Sequence, residues 1–206
     1  MSTPEPFTIV NIGTLSMNKF WGETERVRSG TATCTLLRVG DTRLLVDPSP
    51  WPDDLARLLF DRAGLRPAEI DLVYVTHFHG DHRFGLELFD GKPWLMAAAG
   101  LSEWRGKSPQ DAVLIARFLP AEGRLPEGLR LAPTPGHTWG HHALSLGTRW
   151  GPLLVAGDAV MTPEFYAAEE GYHNSVDFPL AAQTIRDIKQ AAKLVIPGHG
   201  NIILNL

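Results

Sequence analysis

Four ligand-type side chains fall within six residues of one another: His77, His79, Asp81 and His82, in the run Val75-Thr76-His77-Phe78-His79-Gly80-Asp81-His82. Imidazole and carboxylate are the groups that zinc, iron and manganese accept as ligands. The preceding segment, Asp71 to Thr76, reads as a buried strand that runs straight into the cluster. Alternate side chains of a strand share a face, so His77 and His79 can point the same way from its end. Gly80 then permits a sharp turn that swings Asp81 and His82 toward a second point in space. One tetrahedral ion would not ordinarily take four ligands from so cramped an arc, and two adjacent ions are the economical explanation. A lone histidine is usually a surface or satisfied core residue, but that reading does not extend to a packed cluster.

The habit of an apolar segment followed by a ligand-type residue beside glycine recurs three times. Leu129 to Thr134 leads to Pro135-Gly136-His137, Gly151 to Ala156 leads to Gly157-Asp158, and Ala191 to Ile196 leads to Pro197-Gly198-His199. Phe7 to Gly13, Cys34 to Val39 and Arg43 to Asp47 read as further strands, with a turn at Gly40-Asp41. Pro52-Asp53-Asp54 opens a helix whose apolar face is Leu55, Leu58, Leu59 and Ala63; its two carboxylates are helix-start charges, not catalysts. Asp177 reads as the N-cap of a second helix, with Pro179 in its first turn and Ala181, Thr184, Ile185, Ile188 and Ala192 at helical spacing. Strands and helices mix, and the chemistry sits at strand ends, where loops on a rigid sheet carry ligands.

The chain has 206 residues, with neither an internal repeat nor a linker, which predicts one domain over residues 1–206. A net charge of −4 gives no general attraction to a polyanion, which argues against a nucleic-acid partner, although a local basic groove would change that. The single cysteine, Cys34, excludes an internal disulfide framework. Met1 to Pro6 lack the apolar core of a signal peptide, and no apolar run reaches membrane-spanning length. The expectation is a cytoplasmic protein acting on a small molecule, away from membranes.

Val75 to His82, Thr134-Pro135-Gly136-His137-Thr138, Gly157-Asp158 and Pro197-Gly198-His199-Gly200 together resemble the metallo-β-lactamase-fold superfamily, in the right order and over essentially the whole chain. The resemblance implies an α/β fold, a four-layer αββα sandwich with metals at one edge between the two sheets. It implies that His77, His79 and His137 hold one ion, that Asp81, His82 and His199 hold a second, and that Asp158 bridges them. Asp47 resembles a structural aspartate that supports the metal loop. Zinc is the expected metal for an all-His/Asp set, and iron or manganese fits the same ligands. Two such ions share a bound water, make it hydroxide near neutral pH and polarise a substrate carbonyl. The expected activity is therefore that of a dinuclear metal-dependent hydrolase attacking an ester, thioester or lactone. Asp81 would orient the hydroxide and could pass a proton to the leaving group, and Thr76 would brace the cluster.

Departures from individual branches narrow the choice. β-Lactamases of the best-known class use a cysteine at the second site, whereas Asp158 stands in the later ligand position here. Glyoxalase II-type thioesterases carry a helical C-terminal extension, and this sequence ends soon after His199. Quorum-quenching lactonases place a tyrosine where Met161 stands, leaving Tyr166 or Tyr172 as substitutes. The loop His77 to Gly85 also resembles tRNA-processing endonucleases, so a phosphodiesterase or nuclease is the runner-up; an iron-dependent persulfide dioxygenase is a third reading. A non-catalytic metal-binding module is a fourth, although a degenerate copy would have lost a ligand and none is missing.

Around the cluster, Trp21 is read as an apolar lid or as packing on a sheet. Met161 to Val176, containing Phe165, Tyr166, Tyr172, His173 and Asn174, is read as a pocket wall. His141 and His142 are expected outside the ligand set, one of them hydrogen-bonding a ligand. Trp94, Trp104, Trp139 and Trp150 are expected in the core or an interface, and Glu169-Glu170 in a solvated turn. Substrate, metal and oligomeric state, a dimer among the options, are left open.

Overall fold

The segment Thr-Arg-Leu-Leu-Val at Thr42–Val46 buries Leu44 and Val46 on one face and Leu45 on the other, so it needs a packed layer on each side. Leu153 and Val155 against Leu154 and Ala156 repeat this two-sided pattern, as do Leu194 and Ile196 against Val195. The computed structural model describes residues 6–205; most of the Met1 to Pro6 segment, residues 1–5, lies outside the described residues.

The first sheet runs in the order β1 (Phe7–Asn11), β2 (Cys34–Val39), β3 (Thr42–Val46), β4 (Leu72–Tyr74), β5 (Trp94–Met96) and β6 (Phe118–Pro120). Its first three strands are antiparallel and its last four parallel. The second sheet is built from β7 (Leu129–Pro133), β8 (His142–Thr148), β9 (Gly151–Gly157), β10 (Leu194–Pro197) and β11 (Ile203–Leu204), in spatial order β11-β10-β9-β8-β7. Only β9 and β10 are parallel in it.

Helices cover both outer faces. α1 (Pro52–Ala63) and α2 (Ala98–Lys107) lay Leu55, Leu59, Leu101 and Trp104 on Leu36, Leu45, Val73 and Val75 of the first sheet. A short α3 (Ala112–Ile115) and α4 (Pro163–Ala168) follow, and α5 (Phe178–Ala191) packs Ile185 and Ile188 on Leu154, Ala156 and Val195 of the second sheet. Between the sheets Leu37, Leu44, Val46, Tyr74 and Leu95 meet Leu144, Leu146, Leu153, Val155, Leu194 and Ile196. Fully burying one such side chain contributes about 1.5–3 kcal/mol, so this layer and the one beneath α1 and α2 both stabilise the fold substantially. The result is the αββα sandwich that the resemblance implies.

Both expected helices form as read. Pro52, Asp53 and Asp54 occupy the first turn of α1, which Gly64 ends in a left-handed conformation (φ 67°). The Asp177 carboxylate caps α5 by accepting from the Leu180 N–H at 2.9 Å. The strand read from Ala191 begins later, at Leu194, because α5 continues through Ala191. Trp94 and Trp104 are core residues, whereas Trp139 and Trp150 are about half exposed and lie outside the core. Glu169-Glu170 is not simply solvated: Glu169 ends α4 and pairs with Lys189 at 2.8 Å, and Glu170 pairs with Lys19. Among the described residues no helix is long and apolar enough to cross a membrane.

Candidate metal centre

Strand ends of both sheets converge at one edge of the sandwich. Two residues beyond β4, the chain enters the loop carrying His77 and His79, and a single helical turn at Gly80–His82 redirects Asp81 and His82. From the second sheet, His137 follows β7, Asp158 directly follows β9, and His199 follows β10. The two sheets are tied together here: the Tyr74 hydroxyl donates to the His142 carbonyl at 2.9 Å, and the His142 N–H donates to the Thr76 carbonyl at 3.3 Å.

All seven expected ligands come together. His77, His79, His137 and Asp158 form one group and Asp81, His82 and His199 a second, each with ligand atoms within 4.8 Å of one another. Asp158 faces both. Its Oδ2 lies 3.2 Å from His137 Nε2 and 3.6 Å from His77 Nε2, while its Oδ1 lies 3.0 Å from His82 Nε2 and 3.4 Å from His199 Nε2. His79 Nδ1 closes the first group at 2.9 Å from His77 Nε2 and 3.0 Å from His137 Nε2. Asp81 Oδ2 closes the second, 3.5 Å from His199 Nε2.

Hydrogen bonds on the far sides of the rings fix the tautomers. His82 Nδ1 donates to Asp47 Oδ2 at 2.9 Å, and His199 Nδ1 donates to the Thr31 carbonyl at 2.9 Å. Thr76 Oγ1 donates to Asp47 Oδ2 and so can only accept from His77 Nδ1, 3.2 Å away. In the neutral rings, each of these histidines therefore turns a bare Nε2 lone pair toward the Asp158 carboxylate. Buried lone pairs facing a carboxylate repel it unless a cation or proton lies between them. With His82 neutral, neither its Nε2 nor Asp158 Oδ1 has a hydrogen-bond partner among the described residues. The donor set, its burial and its orphaned atoms fit divalent cations on both sides of Asp158.

Titration behaviour reflects the same conflict. Burial, reinforced by neighbouring histidines, holds His77 well below the usual imidazole range and brings His137 down to about 3. Burial also presses on His82 and His199, but Asp158, joined at His82 by Asp47, more than reverses it and raises both. Burial would raise Asp158, yet His82, His199 and His137 hold it well below the usual carboxylate range.

The expected structural aspartate is in place. Asp47 Oδ1 accepts from the Thr76 N–H at 2.8 Å and Oδ2 accepts from the Thr76 hydroxyl at 2.9 Å, so Thr76 braces the loop as expected. α5 and the segment before it support His137 from the other side: the Thr184 hydroxyl of α5 donates to the Pro135 carbonyl at 2.6 Å, and the Val176 N–H, ahead of the helix, donates to the His137 carbonyl at 3.2 Å. His141 is fully buried outside the ligand set and bonds Thr134 Oγ1 at 2.8 Å. His142 bonds the Gly140 carbonyl, so neither histidine hydrogen-bonds a ligand as the sequence suggested.

The sequence model of the metallo-beta-lactamase superfamily matches residues 27–199. The chain belongs to the metallo-beta-lactamase superfamily. It is 31% identical to the human metallo-beta-lactamase domain-containing protein 1 over 84% of its own length and 63% of that protein's. It is 28% identical to an N-acyl homoserine lactonase of a Bacillus species over 74% of this chain and 64% of that one. The chain thus spans less than two thirds of the length of these curated relatives. In three dimensions it matches a dizinc quorum-quenching lactonase in complex with a product, with a TM-score of 0.68 and 15% identity over 82% of this chain and 72% of that one. The two groups of ligand-type side chains thus sit on a metallo-beta-lactamase scaffold.

A cleft of about 460 Å³ opens onto the centre. Met161, Tyr172, His173 and Asn174 line it, so the segment after Asp158 is a pocket wall, although α4 occupies part of it. Tyr172 reaches the cleft but its hydroxyl donates to the Met17 carbonyl at 2.8 Å; Tyr166 lies outside the cleft, packed with Ile185 and Ile188. Trp21 is no lid. Its indole N–H donates to Glu164 at 2.9 Å beside α4, and the cleft is bordered instead by Trp51, stacked on Phe84 at 3.8 Å. Sequence reading missed Trp51, Phe84 and two arginines of the cleft, Arg26 and Arg28. They come from irregular loops, where no periodicity marks which way a side chain turns.

Proposed function

We propose that the chain is a dinuclear metal-dependent hydrolase that cleaves the ester, thioester or lactone carbonyl of a small molecule. The carrying observation is the split carboxylate of Asp158, with Oδ2 turned to His77 and His137 and Oδ1 to His82 and His199. His77, His79 and His137 would hold one ion and Asp81, His82 and His199 the other, both being zinc by ligand chemistry. When bound, such a pair supplies an activated water and polarises the carbonyl to be attacked.

The chain's own groups do the rest. Asp47, Thr31 and Thr76 engage the Nδ1 atoms of three histidines, which leaves Nε2 as the atom turned to an ion. Asp81 is the partly exposed carboxylate of the set, and its side chain borders the cleft. From there it can take a proton from the attacking water and return it to the departing oxygen or sulfur. The walls at Leu15, Met161 and Trp51 exclude water from one side of a bound acyl group. Similarity to an N-acyl homoserine lactonase favours acyl chemistry over the phosphodiester alternative.

Metal analysis of purified protein, followed by a panel of lactone, thioester, β-lactam and bis-aryl phosphodiester, tests it. Turnover of the lactone or thioester with two ions per chain is expected. Preference for the phosphodiester would overturn the acyl assignment, and oxygen uptake with a persulfide would replace hydrolysis.

A further inference from the structure

Two carboxylates and two guanidinium groups border the cleft. Both carboxylates, Asp81 and Asp158, are turned to the histidine cluster. Arg28 is committed to the loop that carries it: its guanidinium pairs with Glu23, donates to the Leu15 carbonyl at 2.9 Å and lies over the Trp21 ring at 5.3 Å. Arg26 differs. It is exposed on the same loop and lines the cleft, and among the described residues it has neither an ion-pair nor a hydrogen-bond partner.

The lining also fixes what surrounds this cation. Leu15, Met161, Phe84 and Trp51 are apolar, and Trp51 presents a half-exposed ring backed by Phe84. Tyr172 of the same cleft lies within electrostatic range of Arg26 and of Asp158 and Asp81, so the guanidinium and the candidate metal centre face one cleft. If the centre holds two divalent ions against Asp81 and Asp158, the cleft carries excess positive charge, and Arg26 adds to it. An unpaired, rigid fork of donors at the mouth of such a cleft suits a planar anion.

We propose that Arg26 is a specificity residue that binds an anionic group of the substrate. The substrate is then a small ester, thioester or lactone carrying a carboxylate-type charge away from the carbonyl that is cleaved. This rests on the hydrolase reading above and deepens it. The acyl or alkyl part lies along Trp51 and Phe84, the carbonyl is at the histidine cluster, and the anion is at Arg26. Arg28 holds the loop in place and has no free donor fork for the ligand.

The test compares zinc-loaded wild type with Arg26→Gln and Arg26→Lys on two esters of similar length, 4-nitrophenyl butyrate and mono-4-nitrophenyl glutarate. Wild type should prefer the anionic ester, and that preference should shrink as salt is raised. Arg26→Gln should lower kcat/KM for the glutarate about ten-fold more than for the butyrate, the loss expected for one charge-assisted hydrogen bond. Arg26→Lys should retain part of the preference. Equal effects on both esters, or a wild-type preference for the butyrate, would overturn the proposal. If neither ester turns over in protein holding two zinc ions, the hydrolase reading is decided by the lactone and thioester panel, and Arg26 is judged by calorimetric binding of glutaric acid mono-N-butylamide. About ten-fold weaker binding to Arg26→Gln would uphold an anion subsite, and equal affinity would remove it.

Discussion

Asp47 accepts a hydrogen bond from His82 Nδ1 at 2.9 Å, and this contact, outside the candidate ligand set, turns Nε2 of His82 toward Asp158. Asp47 does so from a left-handed backbone (φ 49°), a conformation that Asp and Asn tolerate better than most residues. The residue just after the third strand therefore orients a candidate ligand without belonging to the candidate set.

Asp47→Asn should keep the backbone and lose the carboxylate. The Thr76 hydroxyl and N–H and the His82 ring all rely on that carboxylate. The expected outcome is roughly 10–100-fold weaker zinc binding at the His82 side with the fold retained, read by chelator competition and circular dichroism. Asp47→Ala should additionally lose about 1–2 kcal/mol of stability from the left-handed backbone. Unchanged zinc affinity in Asp47→Asn would count against an orienting role.

Gly198 has no room for a methyl group. A Cβ there would overlap Asp158 Oδ1 and lie 2.9 Å from the Gly157 carbonyl carbon. Gly198→Ala should push the Asp158 carboxylate out of place, costing about 1–3 kcal/mol of stability. Misplacing a reacting group by an ångström costs about 100-fold in rate, so turnover should fall by at least that much. Near-normal activity and zinc content would show that Asp158 does not need its observed position.

His141 gives a pH signature distinct from ligation. Burial, with His137 nearby, holds it well below the usual imidazole range, so the folded chain leaves it neutral. The unfolded chain protonates it near pH 6.5, so below that pH the unfolded state binds the extra proton and folding stability falls as pH falls. In metal-free protein, the loss on going from pH 6.5 to 5.5 should be greater for wild type than for His141→Gln. The difference has a ceiling of about 1.4 kcal/mol per pH unit. Parallel stability curves from urea unfolding would contradict this.

The candidate ligands were legible because chemistry and chain order coincide at them. His77 to His82 are covalently close, and His137, Asp158 and His199 each follow an apolar run beside a glycine. The layers were legible where strands bury both faces, as at Leu44, Leu45 and Val46. β5 and β6, three residues each, were too short to show a period. α2 contains Gly100 and Gly106 and lacks a continuous apolar stripe, so it went unread. The walls of the cleft depend on tertiary placement: Arg26, Trp51 and Phe84 lie far apart in sequence or in irregular loops, and they meet only after both sheets have formed. Trp21 illustrates the converse, since its aromatic character suggested a lid while Glu164 and Arg28 hold it beside α4.

The most direct measurement is an anomalous-difference map at the zinc edge from crystals of zinc-loaded protein. Two peaks flanking Asp158 are expected, one on the Oδ2 side bordered by His77, His79 and His137, the other on the Oδ1 side bordered by Asp81, His82 and His199. One peak alone, or peaks away from Asp158, would contradict a carboxylate shared between two ions.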